Sequence, residues 1–431
     1  MILTNNYVFY GVITLVFIVF LCVFIGYLVW WSCYRSVETG DRFYDPFHYP
    51  LSKGKLQISS DYNTIRQNQI RPYTGMGKDI DVYMSVLDNK DQMVVHKEIN
   101  DKHVLTQGNR VIAIEHIQIL HPDQITIFIP NQELVDKDDE NKLLTPNVVQ
   151  HVLCKSKYAR GIFERLKKDH QCTWTVDSFQ FPPVLRKRYY DEPKDRNVYL
   201  HPAGASWMKH TDTVIRAWLR NPDWPQLIIT CRGWCIDNHK NMLQKISKNN
   251  AGNIKVYNLL STEDLSTLQK HAGVLITPSA CEGFGHCVYE AMENGNLLIT
   301  SDIPPLNEVL IDGKNSLLIP PTSSDSIGNS KSKFKWLRGL SKRVGKAGSS
   351  CFDISVDEIE AAVNRSLKLS DVEYNKIRLN AVQTVHQLAR DGQESMKSTF
   401  EKVGLQVKKG PDVSDNSFKI LSNWSGCSFC Q

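Results

Sequence analysis

The chain has 431 residues, 42% of them hydrophobic and 23% charged, with 51 basic against 46 acidic side chains for a net charge of +5. This composition excludes a disordered chain, a collagen-like chain and a small disulfide-stapled protein. At roughly 100 to 200 residues per domain, the length predicts two or three domains with cores of their own.

The first element in chain order stands apart from that average. From Tyr7 to Trp31 there are 25 residues without a charge, which as helix would span about 37 Å at ~1.5 Å per residue. No Lys or Arg precedes this run, and it exceeds the apolar core of a cleavable signal peptide, so it predicts a permanent single-pass transmembrane anchor. Tyr27, Trp30, Trp31 and Tyr34 fit an interfacial belt, and Arg35 and Arg42 behind the segment favour a cytoplasmic catalytic portion. The 11 cysteines form no regular framework and their odd number leaves at least one unpaired, in keeping with reduced cytosolic thiols. Neither Cys231/Cys235 nor Cys427/Cys430 has the histidine pair of a zinc site, and Cys430 is misplaced for prenylation.

A Pro- and Gly-bearing stem leads into a first globular unit near Lys55. Its apolar runs at 82–87, 111–114 and 125–129 predict buried strands, and 148–167 has helical spacing through Val149, Leu153, Ala159, Phe163 and Leu166. A break at Phe181, Pro182 and Pro183, followed by a charged run, places a boundary near 190. The second unit then predicts strands at 197–201, 226–230, 254–257, 273–277 and 296–300, alternating with helices at 209–220, 239–248, 262–271 and 286–294. Such alternation implies a parallel, doubly wound sheet, with ligands at the carboxyl ends of the strands, so that the loops 202–209, 231–234 and 278–286 converge on one crevice.

An insertion at 322–350 breaks this rhythm. It holds Lys331, Lys333, Lys335, Arg338, Lys342, Arg343 and Lys346, with no acidic residue from 331 to 346. Phe334, Leu337, Leu340 and Val344 fall on one helical face opposite most of the cations, a pattern that suits anionic lipid headgroups and equally a solvated insertion. A long helix at 372–403 and a polar tail complete the chain. The domains read as 1–40 (anchor and start of stem), 41–190 (acceptor domain), 191–371 (nucleotide-sugar domain), 372–405 (C-terminal helix packing back on the first domain) and 406–431 (tail).

The most informative segment is PSACEGFGHCVYEAMENG at 278–295, where a strand ends, turns through two glycines and enters a helix. Gly283 and Gly285 allow close backbone approach, and free amides at a helix start favour an anionic or hydroxyl-rich partner. Glu282 and Glu290, eight positions apart, suit the framing of a polyol, because a carboxylate accepts hydrogen bonds from vicinal hydroxyls.

Residues 278–290 resemble the P-S-x-x-E-G-F-G-x-x-x-x-E pattern of glycosyltransferase family 4, among the glycosyl transferases group 1, retaining enzymes of the GT-B fold. The similarity extends over roughly 197–320. It includes Gly204 to Lys209, Pro225 to Thr230 and DIPPLNEVLIDGKNSLLIPP at 302–321. The resemblance implies an α/β protein of two Rossmann-like domains with parallel doubly wound sheets facing a central cleft. It implies that Glu290 holds the nucleotide ribose, that Glu282 faces the donor sugar, and that amides around Phe284, Gly285 and His286 hold sugar and diphosphate. Lys209 matches the lysine that neutralises the leaving diphosphate, and Gly204, Ser206 and Ser279 lie on the same donor loops.

The sequence departs from the family where an Arg usually precedes that lysine: Ser206, Trp207 and Met208 stand there instead. Arg232, after the strand QLIIT, is the candidate replacement, with a surface Arg as the alternative. In the first domain, His116 is the candidate for reaching the donor sugar, or else a satisfied structural histidine. Gly75 and Gly77 suggest a loop near phosphate, while IPNQE (129–133) and CKSKYA (154–159) resemble first-domain segments of relatives without a role read from them. No Asp-x-Asp motif lies in a donor loop, and DKDDE at 136–140 reads as a solvated turn, so neither metal nor cofactor is expected.

The expected activity is transfer of a sugar from UDP or GDP to an unknown lipid, glycan or protein acceptor. The alternative is a catalytically silent nucleotide-sugar or glycan-binding membrane scaffold. A Rossmann oxidoreductase fits less well, because GFGHCV lacks the third glycine of G-x-G-x-x-G. Nucleic acid is not an expected partner, since the basic cluster is confined to one insertion without a stacking platform.

Overall fold

The computed structural model describes residues 75–88, 94–99, 102–117, 123–185, 193–204, 206–231, 252–258, 260, 262–326 and 349–408. All belong to one of the chain's two structural units, Ser59–Gln431. The segment 7–31, the stem, the expected helix at 239–248, Arg232, the cations at 331–346 and the tail beyond 408 lie outside the described residues. Among the described residues no helix is long and apolar enough to cross a membrane.

The first lobe runs α1 (Gly75–Val86), β1 (Val94–Ile99), β2 (Lys102–Gln107), β3 (Arg110–Ile114), β4 (Ile125–Ile129), α2 (Lys137–Leu144), β5 (His151–Cys154), α3 (Lys157–Asp169) and β6 (Thr175–Ser178). Its six strands lie side by side in chain order. From β3 to β6 they are parallel, but β1, β2 and β3 pair antiparallel, so the sheet is mixed where a parallel one was expected. The local cause is the two-residue link Gly108–Asn109, with Gly108 at φ +57°. A link this short can join only antiparallel neighbours.

Three local expectations change. The run 82–87 belongs to α1, not to a strand: Ile80, Tyr83 and Val86/Leu87 recur at helical spacing and are buried together. The single helix read across 148–167 divides into β5 and α3, because Ser156 caps α3 by accepting the amide of Ala159 at 3.1 Å. DKDDE is no solvated turn. Asp136 caps α2 by accepting from the Asp139 amide at 2.8 Å, and Asp139 is fully buried.

The strands of this sheet alternate between two cores. Ile112, Ile114, Ile127, Ile129 and Leu153 pack on the α1 side, while Ala113, Phe128 and Val152 face Leu143, Ile162 and Phe163 of α2 and α3.

The second lobe runs β7 (Asp195–Gly204), a 3₁₀ turn (Trp207–Lys209), α4 (Thr211–Arg220), β8 (Gln226–Cys231), β9 (Ile254–Asn258), α5 (Thr262–His271), β10 (Ala272–Thr277), α6 (His286–Glu293), β11 (Leu297–Ser301) and β12 (Leu317–Ile319). All its pairings are parallel, in the order β12-β11-β10-β7-β8-β9. Counted within the lobe this is 3-2-1-4-5-6, the doubly wound Rossmann order, with its switch point between β7 and β10. Leu200, Leu275 and Leu298 face α6, whereas Tyr199, Ile276 and Ile299 face α4 and Trp218.

The short antiparallel pair β13 (Ser323–Ser326) and β14 (Ser350–Asp353) brackets the basic insertion. Then α7 (Val356–Lys368) and α8 (Asp371–Lys402) follow, each opened by a capping box, Ser355/Glu358 and Ser370/Glu373. Tyr374 near the start of α8 donates to the Gly273 carbonyl at 2.8 Å in the second lobe, whereas Phe400 near its end packs on Tyr83 and Phe179 of the first. A Cβ on Gly392 would lie 2.8 Å from Pro182 Cα, so this helix needs glycine to rest on the connecting strand. One helix thus ties both lobes, and the carboxyl ends of both sheets meet at the seam between them.

Candidate functional site

The switch point brings two loops together. After β7 the chain turns at Gly204 (φ +58°), Ser206 Oγ accepts the Met208 amide at 3.2 Å, and the Met208 carbonyl accepts the Ala280 amide from the loop after β10 at 2.7 Å. That stitch places the Lys209 ammonium against the Glu282 carboxylate, with Ser279 Oγ at 3.0 Å and Cys287 Sγ at 3.4 Å. Ser279 Oγ also donates to Glu282 Oε1 at 2.6 Å. Burial by itself would lower the lysine's pKa. The Cys287 sulfur and the Glu282 carboxylate beside it reverse this and hold it above the ordinary lysine value, so Lys209 is a fixed cation.

From Glu282 the chain passes through Gly283 and Phe284 to Gly285, at φ +93°, which caps α6 without a side-chain bond. The first amides of α6 are therefore not covered by a capping side chain at Gly285, and the helix dipole favours negative charge there. Phe284 stacks on Tyr289 at 4.3 Å between ring centroids and meets Phe181 of the connecting segment edge-on at 4.6 Å. Glu290, one turn into α6, is ion-paired with Lys78 on α1 of the first lobe.

The first lobe supplies the opposite wall from the ends of its own strands. Asp79 of α1 is buried between the Lys155 ammonium and His286 Nε2, the latter at 2.8 Å. Burial would raise its pKa, but Lys155 and His286 hold its carboxyl below the usual value. Lys155 also donates to Asn131 Oδ1 at 2.6 Å, and Asn131 donates to Glu115, whose pKa burial raises. Gln132 Nε2 donates to the Glu282 carbonyl at 2.7 Å. Beside it Glu133 is buried, and desolvation pushes its pKa up to about 8. A Cβ on Gly283 would come within 2.7 Å of Glu133 Oε1 and 2.8 Å of Asn131 Oδ1, so the glycine is what lets the loops approach.

Glu282, Lys209, Ser279, Gly283, Phe284, Gly285, His286 and Glu290 therefore share one cleft wall, with Gly204 and Ser206 in the loop that delivers Lys209. His116 is held elsewhere: its Nδ1 meets Asp139 Oδ2 at 2.6 Å, and that hydrogen bond raises its pKa. The strand end is occupied in the seam by its neighbour Glu115, at φ +63°. Gly75 and Gly77 lie in the first turn of α1 instead of in a loop. His116, Asp136 and Asp139 offer ligand atoms within 4.8 Å of one another. Asp139 is already bonded to His116 and the Ile117 amide, and Asp136 to a helix start, so these groups serve the local fold.

Sequence reasoning missed the contributions of Asp79, Lys155, Asn131 and Glu133. The signal of Asn131, Glu133 and Lys155 was present in IPNQE and CKSKYA, at the ends of two parallel strands, the position where such sheets present ligand-binding groups, whereas Asp79 lies on α1.

With the switch-point pair of Lys209 and Glu282 in place, comparison with known proteins finds a family match within the second lobe. Residues 186–350 match the glycosyl transferases group 1 family. The chain is similar to the UDP-N-acetylglucosamine–peptide N-acetylglucosaminyltransferase GtfA subunit of Streptococcus agalactiae, 25% identical over 251 residues, covering 56% of this chain and 48% of that protein. It is 31% identical over 181 residues to the O-antigen chain mannosyltransferase RfbU of Salmonella typhimurium, covering 40% of this chain and 49% of that one. The chain thus spans about half the length of these two curated relatives. Among solved structures, pneumococcal O-GlcNAc transferase GtfA in complex with UDP and GlcNAc superposes with a TM-score of 0.47 at 14% identity, over 72% of this chain and 64% of that one. Anabaena Alr3699/HepE in complex with UDP and glucose gives a TM-score of 0.47 at 13% identity, over 65% of this chain and 71% of that one. The group 1 match takes in the β7 loop, the Glu282 loop and α6, the three parts that build the cleft wall.

Proposed function

We propose that the chain is a membrane-anchored, retaining glycosyltransferase that moves a sugar from a nucleoside diphosphate to a lipid, glycan or protein acceptor. The observation that carries this reading is the meeting of Lys209 and Glu282 at the switch point of a 3-2-1-4-5-6 sheet, inside the segment that matches the group 1 family. A fixed ammonium next to uncapped helix amides is a site for a diphosphate, and two carboxylates flanking it are acceptors for sugar and ribose hydroxyls.

In this reading Glu290 holds the ribose and Glu282 the donor sugar, while Lys209 and the amides at 284–286 hold the diphosphate. The bond between the anomeric carbon and the diphosphate oxygen breaks as Lys209 and the amides stabilise the developing charge. The acceptor oxygen bonds to the same face of that carbon, and its proton passes to the departing phosphate oxygen. No metal is invoked, since cations and amides of the protein supply the counter-charge. The two relatives are named for transfer of N-acetylglucosamine and of mannose, which supports a UDP- or GDP-linked hexose as donor. The anchor at 7–31, a cytoplasmic catalytic portion and contact of 331–346 with anionic lipid complete the proposal, on the sequence pattern alone.

The test is a panel of nucleoside diphosphate sugars scored for thermal stabilisation and slow hydrolysis, beside the double variant Glu282→Ala, Glu290→Ala. Hydrolysis of one sugar that the variant lacks is the expected result. No response to any sugar would favour a silent scaffold.

A further inference from the structure

Among the described residues, two buried oxygens at the seam between the lobes have no hydrogen-bond partner: Gln132 Oε1 and Glu133 Oε2. Their residues are only 2% and 8% exposed. Both belong to the loop that leaves β4, whose side chains meet the loop that carries Glu282. The amide nitrogen of Gln132 is spent on the Glu282 carbonyl at 2.7 Å, so its carbonyl oxygen sits beside that residue. The other Glu133 oxygen, Oε1, is close enough to Gly283 that a Cβ there would approach to 2.7 Å. Buried acceptors are almost always paired, and two orphans on consecutive residues of one loop call for a ligand that brings its own donors.

The surrounding charges select the ligand's chemistry. Glu282 stands on one side and Glu115 contributes a second acidic group, so an added anion would be repelled. Lys155 is near enough to disfavour an added cation. What fits is a neutral group that can donate to Gln132 Oε1 and either donate to or accept from Glu133. Burial raises the Glu133 carboxyl to about 8. At neutral pH it therefore carries a proton and, like a hydroxyl, both gives and takes hydrogen bonds.

We propose that Gln132 and Glu133 form a hydroxyl-recognition subsite on the first-lobe side of the Glu282 loop, taking the ring of a neutral sugar. The inference rests on the glycosyltransferase reading and adds two specificity-determining residues to it. The donor's sugar and a sugar of the acceptor are the two sources of such a ring, and the chemistry of recognition is the same.

The experiment uses the full-length chain with Glu133→Leu, Gln132→Leu and the isosteric Glu133→Gln. One arm measures affinity for UDP-glucose, UDP-N-acetylglucosamine and GDP-mannose relative to UDP and GDP. A second arm measures binding of the methyl glycosides of the same sugars to the UDP- or GDP-loaded protein. A loss of about 10-fold in the sugar's contribution in the first arm supports a donor-sugar subsite, because a site built to bond a hydroxyl discriminates strongly when the bond is lost. A similar loss confined to the second arm supports an acceptor-sugar subsite. Glu133→Gln, which keeps the shape and a polar amide, should lose less than Glu133→Leu in whichever arm responds. Unchanged affinities in both arms, in variants that still bind the bare diphosphate and unfold cooperatively, overturn the inference. A wild-type chain that binds no nucleotide sugar instead overturns the parent reading, so the two failures are told apart.

Discussion

Lys78 on the first helix of the first lobe is ion-paired with Glu290 on α6 of the second, across 212 positions of sequence. Among the described residues the ammonium engages one oxygen of the carboxylate, which fixes the side chain and leaves the second oxygen to accept from ribose hydroxyls. Glu290→Gln should weaken nucleoside diphosphate sugar binding about 10-fold, by loss of a charged acceptor. Lys78→Ala should weaken it by about threefold, since it removes only the group that orients Glu290. Calorimetric titration with UDP checks both, and equal affinities for all three proteins would remove Glu290 from the ribose role.

Lys209 is a second, separate case. Its place against Glu282 and Ser279 suits a charge that develops on the leaving group, so Lys209→Ala should reduce turnover by about 100-fold while changing donor affinity little. Steady-state hydrolysis and equilibrium binding of one donor distinguish the two effects. A variant that turns over at the wild-type rate would end the assignment.

Glu133 predicts an unusual pH dependence of stability. Its carboxyl is raised in the folded protein from an ordinary value of 4.5 to about 8 by burial. Between these values the folded state holds a proton that the unfolded state has released, so stability from this group is full below about pH 4.5 and falls as pH rises towards 8. The Glu133→Gln variant lacks this slope. The wild-type chain should therefore lose stability relative to the variant, by an amount on the order of a few kcal/mol, between pH 5 and pH 8. Denaturant titrations at several pH values measure it, and parallel curves would show that Glu133 ionises normally.

Gly285 tests the backbone of the motif. Its φ of +93° is a region that L side chains avoid, and a Cβ would press on Leu306 Cδ2 at 2.9 Å. Gly285→Ala should cost about 1–3 kcal/mol and displace the start of α6. A fall in the thermal midpoint together with weaker diphosphate binding is expected, and an unchanged midpoint would mean that the loop adapts freely.

The basic segment at 331–346 is tested apart from the cleft. Deleting it should leave donor hydrolysis intact and lower the attachment of a chain lacking residues 1–40 to vesicles containing anionic lipid, with the loss growing as salt is reduced. Attachment that is the same with and without the segment would make it a solvated insertion.

The second lobe was legible in the sequence because every signal there is local. Strands at 226–231 and 272–277 are apolar runs, and a parallel sheet buried on both faces requires such runs. Glu282, Gly283, Gly285 and Glu290 are likewise spaced along a single turn and helix, so their common face follows from chain geometry alone. The sequence by itself therefore determined the doubly wound half, the glycine-bearing helix start and the residues on it. It could not determine the first lobe's wall. Asn131, Glu133 and Lys155 adjoin because two parallel strands end at one edge of a sheet, and Asp79 joins them from α1, which packs on that sheet. Nor could it show that His116 turns to Asp139, or that 82–87 is helix, because an apolar run states how much surface must be buried and leaves the partner open. Tertiary structure decided those points, since the pairing of charges across the seam depends on distances set by packing both lobes against α8.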